Sequence, residues 1–477
     1  MTQPNILLIT TDQHNAEILG CAGNPVVRTP NIDRLAAGGM VFDAAFTSCP
    51  ICTPARTSIF TGQYGQRHGV TYNINIRQDR PAPPHHTGLA ADATAFPKVL
   101  AAHHYHTSLI GKLHAKQAGV KNFGLRLMKL AEGKGQFVGF GAPPDDYRRY
   151  LKARGHPGDV WRTWELPAYA REGFVTCPIP EEDYIDAWTA SVATEHLQRV
   201  EPPFFSWVSF SSPHTPWDPP RPYDMMYSPS EVPFPARRRG ELEEKHPDWV
   251  DRLAKTKPAC PTGSQNPDAE GGIERAYGRF SDDQVRGMLA AYYGLTSLID
   301  AQVGSLLSVL EGRGLRESTL IVFTADHGDY LGNNWAFYKY DALYDSLVRV
   351  PFIVNWPGHV AAGSRRRELV SLIDLAPTFL EAAGARPVDP VDGRSLWPLL
   401  KGEPTDWRRE LLLEGGRVHG ILTPGWKYIR WRDGFEELYD RRLDPHDLQN
   451  LARRPDKEPL CRMLAARLAN LMKRSRE

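Results

Sequence analysis

The stretch Cys49-Pro50-Ile51-Cys52-Thr53-Pro54-Ala55-Arg56-Thr57-Ser58 combines a nucleophile, a cation and a helix start. Proline is favoured at the first position of a helix, and the run from Ala55 to Phe60 is helix-compatible. Cys52 is therefore expected just ahead of a helix N-terminus, where unpaired N–H groups and the helix dipole favour negative charge. Arg56 follows one turn later, and side chains at that spacing share a face. A nucleophile or its anion would meet a fixed cation and a dipole together, which is the layout of an anion-processing centre. The spacing leaves other readings open. Cys49-x-x-Cys52 is also the pattern of a redox pair. It is half of a zinc site too, although no second Cys-x-x-Cys completes one. A buried Cys near a helix start is ordinary.

Four apolar runs end in side chains that bind metals or move protons. Residues 5–11 form a short run read as a buried parallel strand, with Asp12 and Gln13 at its carboxyl end. Residues 105–110 lead into Gly111-Lys112-Leu113-His114. Residues 204–210 lead into Ser212-Pro213-His214-Thr215-Pro216. Residues 319–324 lead into Ala325-Asp326-His327-Gly328-Asp329. A lone His or Asp after a strand is more often a turn or capping residue. Four such endings together with the Cys52 loop are better explained by one shared rim, because ligands of open α/β sheets gather outside the carboxyl ends of the strands.

The other elements frame that rim. A helix begins near Thr29-Pro30 and closes at Gly38-Gly39, and residues 41–46 form a second short run. The intervals between His114 and His214 and between His214 and Asp326 show few clear elements. They carry Trp161, Trp164, Trp188, Trp217 and Trp249, with basic clusters Arg148-Arg149 and Arg237-Arg238-Arg239. Such loops commonly build a substrate pocket, and the clusters are either an anion lure or a solvated face. Residues 371–384 read as a helix closed by glycine. In the tail, 410–414, 418–422, 426–431 and 436–439 are strand-like. A helix over 459–473 places Leu460, Met463, Leu464, Leu468 and Leu471 at helical spacing. The expectation is an α/β fold: a large mixed, mostly parallel sheet flanked by helices, with a smaller C-terminal antiparallel sheet plus helix. The domains expected are 1–400 and 401–477.

Composition removes several function classes. Fifty-seven Lys and Arg against 56 Asp and Glu leave a net charge of +1, which gives no support for nucleic-acid binding. No stretch approaches the ~20 apolar residues of a membrane span. Met1-Thr2-Gln3-Pro4 carries no basic n-region, and six cysteines without a signal do not suggest a disulfide framework. A cytoplasmic protein without a membrane partner is expected, with homo-oligomerisation left open. There is no Walker A loop and no Gly-x-Ser-x-Gly elbow.

Cys52-Thr53-Pro54-Ala55-Arg56 resembles the Cys-x-Pro-x-Arg signature of the sulfatase family, in the alkaline phosphatase superfamily. Thr61-Gly62-Gln63-Tyr64 and Arg67-His68-Gly69 resemble its continuation. The resemblance implies that Cys52, not Cys49, is oxidised by a formylglycine-generating enzyme, and that the hydrated aldehyde is the nucleophile. It implies one divalent metal on Asp12, Gln13, Asp326, His327 and the oxygen at position 52. Calcium is the first expectation and manganese or magnesium the alternatives. Gln13 departs from the commoner Asp-Asp pair, and His327 stands where many members carry Asn. Arg56, Lys112 and Lys339 would hold the sulfuryl oxygens. His214 would protonate the leaving oxygen and His114 would assist release of sulfate. The tail, through Trp426-Lys427-Tyr428-Ile429 and Glu437-Leu438-Tyr439-Asp440, resembles the family's C-terminal subdomain. The implied activity is hydrolysis of a small anionic sulfate ester. The alternative is a phosphonate monoester or phosphodiester hydrolase with the same apparatus. A non-catalytic binding protein on this fold is disfavoured by the full set of acid–base residues.

Overall fold

The computed structural model describes residues 3–73, 88–117, 122–134, 145–156, 163, 167–255, 280–339 and 342–476. Its centre is an eight-stranded sheet. In chain order its strands are β1 (Asn5–Asp12), β2 (Met40–Phe42), β4 (His106–Gly111), β5 (Leu127–Leu130), β6 (Phe204–Pro213), β7 (Thr319–Ala325), β8 (Phe352–Asn355) and β9 (Ser364–Arg366). The spatial order is β5-β4-β6-β1-β7-β8-β2-β9. Only β8 runs antiparallel to its neighbours. The sheet is thus mixed and mostly parallel, as expected.

This topology creates the rim. β4, β6, β1 and β7 are consecutive and parallel, with Gly111 opposite Ser209, Thr10 opposite both Ser209 and Thr324, and Thr11 opposite Ala325. Parallel neighbours in that register must end on the same edge, so Lys112, His214, Asp12 and Asp326 emerge side by side. Gly111 is required there: its φ is +105°, and a Cβ would sit 2.0 Å from the Ser209 carbonyl oxygen.

Side-chain alternation on β1 splits the core. Ile6 and Leu8 face a cluster with Ile59, Phe60, Phe96 and Trp207. Leu7 and Ile9 face a second with Ile299, Val303, Leu306 and Leu310. Ile59 and Phe60 belong to helix Cys52–Thr61, and Ile299, Val303, Leu306 and Leu310 to helix Asp282–Gly312, so these two helices cover opposite faces of the sheet. The 31-residue helix Asp282–Gly312 lies where few elements were expected. It starts with a capping box, Ser281 and Gln284 exchanging side-chain-to-backbone bonds.

Two segments differ from the sequence reading. Residues 41–46 divide between β2 and β3 (Ala45–Phe46), because β3 leaves the main sheet to pair with β10 (Val370–Ser371). The helix expected from 371 begins only at Leu375 (Leu375–Ala382), since Ser371 is in that pair and Leu372–Asp374 is a tight turn. The C-terminal sheet, β11 (Leu411–Glu414), β12 (Val418–Leu422), β13 (Trp426–Trp431) and β14 (Glu436–Asp440), is antiparallel throughout. Helix Glu458–Arg474 packs Cys461, Leu464 and Leu468 against it, while Met463 is exposed.

Candidate active site

Cys52 is the first residue of helix Cys52–Thr61, with Ile51 as the cap, rather than a residue ahead of it. Pro54 falls at the third position, where its missing N–H has no helical acceptor to lose. All ten residues of the helix are buried. Its N-terminus is fixed by Asn73 Oδ1, which accepts from Thr53 N–H at 3.0 Å, and Thr53 Oγ1 donates to the His114 carbonyl at 2.9 Å.

The rim converges on Cys52. One ligating atom each from Asp12, Cys52, Asp326 and His327 lies within 4.8 Å of the others, and all four residues are buried. Cys52 Sγ is 3.6 Å from Asp12 Oδ1 and 3.3 Å from His327 Nε2. His327 Nδ1 donates to the Gly328 carbonyl at 2.8 Å, leaving Nε2 with its lone pair toward the cluster. Gln13 and His327 both give a backbone N–H to Asp326 Oδ1, at 3.1 and 2.9 Å. Two carboxylates, an imidazole nitrogen and the buried Gln13 Oε1, which has no hydrogen-bond partner among the described residues, fit a hard or borderline divalent cation.

Three cations surround the cluster, and they differ in what they have left to offer. Lys339 Nζ donates to Cys52 Sγ at 2.8 Å and sits 3.2 Å from His327 Nε2. Lys112 Nζ pairs with Asp12 Oδ2. Arg56 Nε pairs with Asp326 Oδ2 at 2.9 Å, and its Nη1 donates to the Lys112 carbonyl (2.7 Å) and Ser209 Oγ (2.8 Å). Arg56 is thus largely spent on the scaffold, with Nη2 alone unpartnered among the described residues.

The electrostatics follow. Burial alone would raise Asp12, but Lys112, His214, Lys339 and Arg56 together hold its carboxyl well below the usual range. Burial and Asp12 push the Cys52 thiol up, and Lys339, Lys112 and His327 pull it down further, so it ends below an ordinary thiol. Burial would lower His327, yet Asp326 and the Cys52 sulfur raise it. The two other histidines go the opposite way. Burial lowers His114, with Lys112 adding to it, and burial lowers His214, with Lys339 adding to it. Both imidazoles are therefore neutral at pH 7. His214 Nδ1 donates to the Thr215 carbonyl at 2.7 Å, which leaves Nε2 as the exchanging atom.

The structure brings Asp12, Gln13, Cys52, Arg56, Lys112, His114, His214, Asp326, His327 and Lys339 together at this rim. Gln13 (φ +62°), His114 (φ +42°) and Tyr338 (φ +65°), next to Lys339, all adopt left-handed backbone, which costs energy and clusters at functional sites. The sequence reading missed Asn73, Ser209, Glu132 and Asp329. Glu132 accepts the His114 N–H at 3.0 Å, and burial raises its carboxyl. Asp329 accepts from Gln13 Nε2 at 2.5 Å, and burial pushes it up to about 6. Asp329 ends the Asp-His-Gly-Asp run, a readable signal; the others depend on tertiary contact.

Trp188, Trp217 and Trp249 are buried in the core, and Trp161 and Trp164 lie outside the described residues. Arg148 and Arg149 pair with Asp145 and Asp146, Arg237 with Asp282, and Arg238 with Glu244. These arginines are paired with neighbouring carboxylates, and only Arg149 among them is well exposed.

Comparison with known proteins is consistent along the whole chain. The sulfatase family model matches residues 4–385, and a model for the C-terminal part of N-sulphoglucosamine sulphohydrolase matches 333–474. An arylsulfatase of Clostridium perfringens is 29% identical, covering 94% of this chain and 90% of that protein. The multifunctional alkaline phosphatase superfamily protein PehA of Trinickia caryophylli is 28% identical, covering 95% and 92%. The crystal structure of a phosphonate monoester hydrolase from Agrobacterium radiobacter superposes with a TM-score of 0.83 at 25% identity, covering 99% and 96%. With four strand ends and one helix start meeting at Cys52, and a family model spanning most of the sequence, the chain belongs to the sulfatase family of the alkaline phosphatase superfamily.

Proposed function

We infer that the chain hydrolyses sulfate monoesters, with position 52 acting as the nucleophile after conversion of Cys52 to formylglycine by a maturation enzyme. The observation that carries this is the meeting of Asp12, Cys52, Asp326 and His327 within 4.8 Å, with Lys339 Nζ on the sulfur. When bound, a divalent metal on Asp12, Gln13, Asp326 and His327 would lower the pKa of a hydroxyl at position 52 and orient the sulfuryl group. Calcium suits the oxygen-rich set, and the His327 nitrogen admits manganese.

The chain's own groups do the rest. Lys339 Nζ and Lys112 Nζ bring cations to the sulfuryl oxygens, which gain charge as the ester bond breaks. Arg56 holds Asp326 and Lys112 in place more than it holds substrate. His214 Nε2 would pass a proton to the leaving oxygen as the S–O bond opens, and His114 would take up a proton during release of sulfate. His214 is neutral in the free site, so it would take a proton from solvent as the anionic ester binds, whose charge opposes the effect of burial and the lysines, and pass that proton to the leaving oxygen.

A phosphonate monoester or phosphodiester hydrolase is the second reading. It is favoured by the Asp12-Gln13 and Asp326-His327 pairs and by the likeness to a phosphonate monoester hydrolase. Steady-state kinetics on one preparation, with an aryl sulfate, a phosphonate monoester and a phosphodiester sharing one leaving group, separates the two. The expected order puts sulfate first in kcat/KM; phosphonate or phosphodiester well above sulfate transfers the assignment.

A further inference from the structure

Asp329 takes no part in the roles above, yet its two carboxylate oxygens are divided between two tasks. Oδ1 accepts from the backbone N–H groups of Leu331 (2.8 Å) and Tyr338 (3.0 Å), pinning the loop that leads to Lys339. Oδ2 accepts from Gln13 Nε2 at 2.5 Å. Asp329 is completely buried.

A carboxylate only accepts, so the Gln13 amide has one satisfied orientation at this contact: nitrogen toward Asp329, oxygen away from it. Gln13 Oε1 is the atom left over. It is buried without a hydrogen-bond partner among the described residues, on a residue whose own N–H is bonded to Asp326. Buried carbonyl oxygens are rarely left so, unless a cation or water completes them. An aspartate at position 13 would need no such control, because its two oxygens are equivalent. A glutamine has two unlike faces, and its N–H face would repel a cation.

We propose that Asp329 is a positioning residue that turns the oxygen of the Gln13 amide toward a divalent cation held with Asp12, Asp326 and His327. The inference rests on the metal centre proposed above. It concerns the metal alone, so it stands or falls independently of which ester is cleaved.

The test is calorimetric titration of calcium and manganese into the chelator-stripped full-length protein. In Asp329→Asn the remaining Oδ1 keeps both backbone bonds, while the new Nδ2 faces Gln13 and turns its amide over. Affinity should fall about 10- to 100-fold, the usual effect of removing a partner that orients a ligand. The metal-free melting temperature should stay close to that of the parent. The double variant Gln13→Glu/Asp329→Asn exchanges donor and acceptor across the contact and again offers an oxygen to the metal, so it should recover most of the affinity. A purely structural role for Asp329 predicts no such recovery. Parental affinity in Asp329→Asn, parental affinity in Gln13→Ala, or no recovery in a folded double variant would each overturn the proposal.

Discussion

Arg56 and Asp326, 270 residues apart, form an ion pair at 2.9 Å in which neither side chain reaches solvent. The pair joins helix Cys52–Thr61 to the end of β7, and the same guanidinium reaches β4 and β6 through the Lys112 carbonyl and Ser209 Oγ. Asp326 and Asp12 raise the guanidinium's proton affinity against burial.

Breaking one side of such a pair leaves a buried charge alone, which typically costs about 3–5 kcal/mol. Arg56→Ala should lose stability of that size in equilibrium urea unfolding, together with kcat/KM. Arg56→Lys keeps the charge but not the planar fork, and should lose less stability. A loss below about 1 kcal/mol in Arg56→Ala would mean that the pair does not hold the rim together.

Cys52 should carry the modification and Cys49 should not. Cys52 has Pro54 and Arg56 at the signature offsets, and its sulfur faces Asp12, His327 and Lys339. Mass spectrometry of the tryptic peptide ending at Arg56 should show aldehyde in place of thiol at position 52. Fully active enzyme with an unmodified Cys52 would remove this assignment.

What the sequence revealed, and what it hid, follows from the range of each signal. Asp12, Lys112, His114, His214, Asp326 and His327 each follow a short apolar run directly, so local pattern finds them. The contact between Asp329 and Gln13 exists only because β1 and β7 are neighbours, and no local pattern encodes that adjacency. Helix Asp282–Gly312 was hidden for a different reason. It packs Met288, Tyr292 and Leu295 into one cluster and Ile299, Val303 and Leu306 into another, so residues 287–300 are buried all round and no polar face marks a helical period there. Gly287, Gly294 and Gly304 lower its helix propensity but are close-approach sites; a Cβ at Gly294 would lie 2.4 Å from the Tyr223 carbonyl oxygen.

Asp326→Ala should remove metal and activity together. Asp326 supplies an oxygen to the cluster while also holding Gln13, His327 and Arg56, so its loss dismantles the centre rather than trimming it. Elemental analysis after gel filtration is the check, and parental metal content in that variant would count decisively against the site.

Glu414 should make folding stability depend on pH. It lies in β11, is buried, and accepts the backbone N–H groups of Gly65 (2.6 Å) and Gln66 (3.0 Å). Burial raises its pKa from 4.5 to about 7 despite those bonds. The folded state therefore binds this proton more tightly than the unfolded state. Stability from this group is complete below the unfolded pKa and is lost as pH rises through the folded one. At about 1.4 kcal/mol per pKa unit, the loss is on the order of 3 kcal/mol. Glu414→Gln cannot titrate. The stability difference between parent and variant, from urea unfolding at pH 5 and pH 8, should shift against the parent at the higher pH. A constant difference would show that Glu414 titrates near its unfolded value.

His214 should act as the acid for the leaving group. The bond from Nδ1 to the Thr215 carbonyl fixes its tautomer, so Nε2 is the only ring nitrogen able to exchange a proton with substrate. Proton donation matters most when the departing oxygen is basic, as in an alkyl or sugar alcohol, and little for an activated nitrophenol. General acid catalysis typically contributes about 10²–10⁴-fold. His214→Ala should therefore slow poor leaving groups by an amount in that range and activated aryl esters much less, under conditions where chemistry limits the rate. A histidine that merely packed against the rim would produce the same loss for every ester. The plot of log kcat/KM against leaving-group pKa separates these outcomes. Its slope should steepen in the variant, and an unchanged slope would take the acid role away from His214.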